Sequence, residues 1–218
     1  VDLVLPPPEI RVLGALIEKE TTTPEYYPLT LNALVAACNQ KSNRDPVVAY
    51  DDETVTAAVH SLSSKGLAAR ITRSGTRVEK YEQRISERLN LGRRELGVLA
   101  VLMLRGPQTP GELHARAARM HEFTDIAEVE ATLERMMEWQ PEPLVARLPR
   151  APGTREARYA HLLGGPPDLT AAAAAEPPRA AAASRDDEIA GLAARLERLE
   201  QQVQALSDEF ARFRKQFE

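Results

Sequence analysis

The residues of this chain that could do chemistry gather in one polar run and one basic pair of strands. Asn39-Gln-Lys-Ser-Asn-Arg-Asp45 places seven consecutive polar side chains directly after an apolar helical pattern. The carboxamides of Asn39, Gln40 and Asn43 carry the paired donor and acceptor that can read an adenine edge. Lys41 and Arg44 are phosphate-binding types. Further along, Arg70, Arg73, Arg77, Lys80 and Arg84 lie close together, with Glu79 and Glu82 among them. A polyanion such as DNA is the ligand that set would hold. Each feature has a second reading. Asn, Ser and Asp make local turns by bonding their own backbone, so the run can be an ordered loop that fixes the angle between two helices. The basic strands can be scattered surface charge.

Other chemistry finds little support. The four histidines, His60, His114, His121 and His161, and the lone Cys38 lack metal-ligand spacing. There is no phosphate-binding glycine loop. Cys38 falls on an apolar helix face and reads as a small core residue. Trp139, with Met136 and Met137, reads as core at a helix end. The expectation is a non-enzyme with no catalytic residue, metal or cofactor.

Charge bounds the partner. The chain has 218 residues, 28 Lys and Arg against 32 Asp and Glu, and a net charge of −4. That excludes a protein that coats nucleic acid without specificity, which would be basic. Residues 1–85 carry 10 basic and 11 acidic side chains, and residues 166–218 carry 7 and 10, so the acidic excess lies mostly in the tail. The longest apolar run, Val98 to Leu104, is far below the ~20 residues of a membrane span. No leader segment is visible, and a single cysteine suits a reducing, cytoplasmic setting.

The elements that must position these residues occur twice. Arg11-Val-Leu-Gly14 recurs as Arg94-Glu-Leu-Gly97, Pro28-Leu-Thr30 as Pro107-Gln-Thr109, and Leu67-Ala-Ala-Arg70 as Leu144-Val-Ala-Arg147. Val55, Val59 and Leu62 recur as Val129, Leu133 and Met136. In the first copy Ile10, Leu13, Gly14 and Ile17 share a helix face. Thr30 caps a second helix and Asp51 or Asp52 a third, which ends at Gly66. Residues 67–72 and 76–81 then read as strands joined at Arg73-Ser74-Gly75. The second copy predicts helices at Arg93–Arg105, from Thr109 and over Asp125–Trp139, then strands near 144–148 and 157–162. Three helices and a two-stranded hairpin make a winged helix-turn-helix. The predicted class is mainly α (α+β): two tandem winged helix-turn-helix domains at 1–85 and 86–165, a Pro/Ala-rich linker at 166–187 and a C-terminal coiled-coil helix at 188–218.

That last segment is a strict heptad. Ile189, Leu192, Leu196, Leu199, Val203, Leu206, Phe210, Phe213 and Phe217 alternate spacings of three and four. The mean period is the one that makes helices supercoil. In a parallel pair Arg195 would face Glu200 and Glu209 would face Arg214. The prediction is a parallel homo-oligomer, a dimer by preference; the alternatives are folding back on the chain or binding another protein.

The stretch Thr23-Pro-Glu-Tyr-Tyr-Pro-Leu-Thr-Leu-Asn-Ala-Leu-Val-Ala-Ala-Cys-Asn-Gln-Lys-Ser-Asn-Arg-Asp-Pro46 resembles the signature of the YceH-like family of uncharacterised bacterial proteins. The likeness runs from Glu9 to about Leu163. It implies two winged-helix domains, a helical tail and a bacterial cytoplasmic protein, and it brings neither an activity nor catalytic residues.

Two functions remain open on the sequence. One is a DNA-binding regulator, dimerised by its tail and contacting DNA through domain one. The other is a non-enzymatic scaffold or adaptor. The fold and the cluster of Lys41, Arg44 and the wing put the regulator first, with the scaffold as the alternative. The third helices count against the regulator, because Asp52 and Glu53 open one and Glu128, Glu130, Glu134 and Glu138 line the other.

Overall fold

The computed structural model describes residues 4–72, 78–150 and 156–166. The chain divides into two units, Val1–Ala173 and Ala174–Glu218, and every described residue lies in the first. The heptad, and the linker beyond Pro166, lie outside the described residues.

Helix α1 (Pro7–Thr22) starts on prolines, whose missing N–H groups cost nothing in a first turn. A short 3-10 turn at Pro24–Tyr26 leads to strand β1 (Leu29–Thr30) and helix α2 (Leu31–Cys38). The hydroxyl of Thr30 accepts from the Ala33 amide, which makes it the expected cap. Helix α3 (Asp52–Ser64) is capped by Asp51, which accepts from Thr54 at 2.9 Å. Gly66 follows at φ 71°, the left-handed position that ends a helix without strain.

Strands β2 (Ala68–Ile71) and β3 (Lys80–Gln83) pair antiparallel. β3 ends two residues beyond the expected strand, with Tyr81 and Gln83 at the inward positions of its alternation. β1 joins on its other side, giving the order β1-β3-β2. A short helix that the sequence pattern did not mark, α4 (Ile85–Leu89), then runs across the expected boundary between the two halves.

The second half repeats the plan: α5 (Arg93–Arg105), α6 (Pro110–Ala117), α7 (Ile126–Met137), β4 (Val145–Arg147) and β5 (Tyr159–His161). Thr109 caps α6 in a reciprocal capping box with Glu112. The repeated Pro-x-Thr motif has two uses in each copy. Its threonine caps the next helix, and the residue before it bridges a strand: Leu29 pairs Tyr81, and Gln108 pairs Tyr159. Among the described residues the class is α+β, with helices dominant and two small antiparallel sheets.

The two halves share one buried core. Leu13, Leu16, Leu34 and Leu62 of the first half belong to the same cluster as Leu99, Leu102, Leu113 and Leu133 of the second. α1 lies against α5, and Gly14 makes the approach possible. A Cβ there would stand 3.0 Å from Leu104 Cγ and Met103 Cβ. Its repeat partner Gly97 faces α6 instead, with a looser 3.7 Å to His121 Cβ. Among the described residues, no helix is long and apolar enough to cross a membrane.

Candidate interaction surface

The polar run 39–45 turns largely inward. Asn39 clips its own loop shut: its Nδ2 donates to the Tyr50 carbonyl at 2.7 Å, and its Oδ1 accepts from the Tyr50 amide at 2.8 Å. Asn43 takes a left-handed φ of 57°, which asparagine tolerates. Its Oδ1 accepts from Arg105 at 3.0 Å. The Asp45 amide donates to the Leu104 carbonyl at 2.8 Å, so the loop is sewn to the end of α5.

Arg44 is 5% exposed. Its guanidinium meets Glu18 at 2.6 Å and also donates to the carbonyls of Ala37 and Asn43. As placed, Arg44 has no face to offer a phosphate. The structure places Arg44, expected at a phosphate, inside the fold: a buried cation needs a carboxylate and acceptors for its remaining N–H groups, and this one has them. Lys41 is exposed and Gln40 half-buried.

The basic strands are only partly free. Arg70 is exposed and paired with Glu79 at 2.8 Å. Arg84 is held by Glu82 and by Glu87. Lys80 lies half-buried in β3, opposite Thr30 and Ile71. Arg73 and Arg77 lie outside the described residues.

A second set of cations, not anticipated from the sequence, gathers where the halves meet. The second oxygen of Glu18 takes Arg119 of the second half at 3.0 Å. Arg105 is bound by the neutral amide of Asn43, and Arg116 by the amide of Gln108 and by Glu112 at 3.4 Å. Burial, and then the neighbouring Arg116, hold Arg105 below the usual arginine range. Arg11, buried on α1, donates to the Pro46 carbonyl. Burial and then Arg44 lower its pKa as well. The signal for this set was weak: Arg116 lies in the last turn of α6 and Arg119 in the turn after it, and two basic residues near a helix end are common on solvated faces.

Cys38 is wholly buried, and desolvation pushes its thiol up to about 12. A thiolate nucleophile is not available there. Among the described residues, no cluster of His, Cys, Asp or Glu could hold a metal ion.

A family model described as "Protein of unknown function, DUF480" matches residues 5–154, which take in the first copy of the repeat, the sewn loop and the second copy as far as β4. The chain belongs to this family. Its relatives carry the name UPF0502 protein, and the YceH-like resemblance of the signature fits them. The one from Solibacter usitatus is 50% identical over 210 residues, covering 96% of each chain. The one from Azoarcus is 50% identical over 214 residues, covering 98% of this chain and 94% of its own. The one from Geobacter metallireducens is 59% identical over 160 residues, covering 73% and 72%. For this member of the family, the signature segment is largely an internal tie between the halves.

Proposed function

We propose that this chain is a non-enzymatic protein-interaction module of the bacterial cytoplasm: two tandem winged helix-turn-helix units joined in one body, with a C-terminal heptad that pairs in parallel with a second copy. One observation carries the reading. The signature is turned inside out, with Asn39, Asn43 and Arg44 bonded inward while Tyr26 is 70% exposed and Val47 is 55% exposed. An exposed tyrosine is a common anchor of a protein interface, and Val47 adds apolar area. The third helices agree with it. Asp51, Asp52 and Glu53 stand exposed at the start of α3, and Glu130, Glu134 and Glu138 along α7. Carboxylates in those places repel the phosphates that flank a groove.

The test is a photo-crosslinking residue at position 26 or 47, introduced in the native bacterium. A defined adduct at either site is expected, and it should disappear when Tyr26 and Val47 are both changed to serine. No adduct at either position overturns the reading.

One observation favours a DNA-binding regulator as a second reading. Arg105, Arg116 and Arg119 gather where the halves meet, and Lys41 stands exposed on the loop whose Asn43 holds Arg105. Labelled random duplex titrated at about 50 and about 200 mM salt decides it, because phosphate contacts weaken steeply over that range. No saturable binding is expected. Salt-steep binding that Arg119→Gln or Lys41→Gln weakens would establish the second reading in place of the first.

A further inference from the structure

A cavity of about 430 Å³ opens where the chain leaving α4 meets the chain leaving α7. We infer that it is a binding site for a small aromatic carboxylate. Neither this site nor the signature-loop reading depends on the other.

The size suits such a ligand, since small-molecule pockets run from ~300 to ~1,000 Å³ and favour junctions between structural units. The connecting helix α4 and the second half of the repeat build it. α4 supplies Arg88 and Leu89, and the second half supplies Trp139, Glu142, Leu144 and Leu162. The walls are mainly apolar. Leu144 is buried against the core, and Leu89 and Trp139 are half-buried and packed on it. An indole and leucine side chains in one lining suit a flat apolar ring.

Arg88 supplies the charge. One turn earlier, Arg84 is held by Glu82 and Glu87. Arg88, exposed at the cavity, enters no ion pair among the described residues. A guanidinium fork beside an aromatic wall matches a carboxylate attached to a ring, because it can bind both oxygens while the ring is desolvated. Glu142 lines the same cavity and sets a limit. It disfavours a second negative charge on the ligand, so a monoanion is selected over a dianion.

Trp139 is the single tryptophan of the chain, so its fluorescence reports on this cavity alone. The full chain is titrated with 2-naphthoate, whose ring accepts energy from indole. Saturable quenching is expected. Arg88→Gln should weaken naphthoate about tenfold, as expected for a charge-assisted hydrogen bond, and leave the uncharged 2-naphthamide unchanged. Glu142→Gln should tighten naphthoate and not the amide. Thermal unfolding of each variant checks that these exposed substitutions leave the fold intact. Absence of quenching at millimolar naphthoate, or equal weakening of acid and amide by Arg88→Gln, overturns the assignment.

Discussion

The carboxylate of Glu18 meets the guanidinium of Arg44 at 2.6 Å, with the two side chains 4% and 0% exposed. They lie 26 residues apart, on α1 and on the polar loop. The other oxygen of Glu18 reaches Arg119 of the second half. A single buried acid thus ties together α1, the signature loop and the chain following α6.

Breaking that tie should be costly. Arg44→Met leaves Glu18 buried with one exposed partner and leaves the carbonyls of Ala37 and Asn43 without their donor. Loss of one member of a buried pair costs about 3–5 kcal/mol. Arg44→Lys should recover only part of this, because an ammonium cannot span all three acceptors as a planar fork does. Urea midpoints of the two variants against the parent check both statements. Equal stability of all three would show that the pair does not hold the loop.

The two repeated glycines should respond differently to alanine. At Gly14 the new methyl would meet Leu104 and Met103 at 3.0 Å, and overpacking of this kind costs about 1–3 kcal/mol. At Gly97 the nearest atom is 3.7 Å away, an ordinary contact. There the helix preference of alanine over glycine, about 1 kcal/mol, should appear as a gain. Thermal unfolding of the two variants should therefore shift in opposite directions.

Acid should weaken the fold through His161. Desolvation lowers its pKa from 6.5 to about 4, and its Nδ1 is buried without a hydrogen-bond partner among the described residues. The folded chain keeps the ring neutral, while the unfolded chain takes up a proton near 6.5. The unfolded state then holds more protons, so the stability His161 contributes above pH 6.5 is lost as pH falls towards about 4. His161→Gln should flatten that part of the stability profile. A parent and variant with parallel profiles over this window would exclude His161 as the source.

The heptad should control self-association. Full-length chain is expected to sediment as a dimer, and a chain ending at Ser184 as a monomer. Leu199→Asp, in the middle of the apolar seam, should act like the truncation. Monomers throughout would remove the coiled-coil proposal.

The sequence by itself determined the repeated helices and strands and much of the core, but not β1 or α4. Helix starts at Thr30, Asp51, Thr109 and Asp125, and the stop at Gly66, are set by neighbours within three or four residues. Val55, Val59, Leu62, Val129, Leu133 and Met136 are buried as their helical spacing requires. Even the repeat was legible, because matching elements need matching caps. Tertiary structure alone decided the fate of the polar residues. Whether an arginine binds solvent, phosphate or a buried carboxylate depends on what faces it, and Glu18 reaches Arg119 across 101 positions of sequence. The Gly14 approach is of the same kind, since its partners lie on α5. Apolar periodicity records which side of an element faces inward. It does not record which distant element waits there, and that pairing is what turned a polar loop into an internal tie.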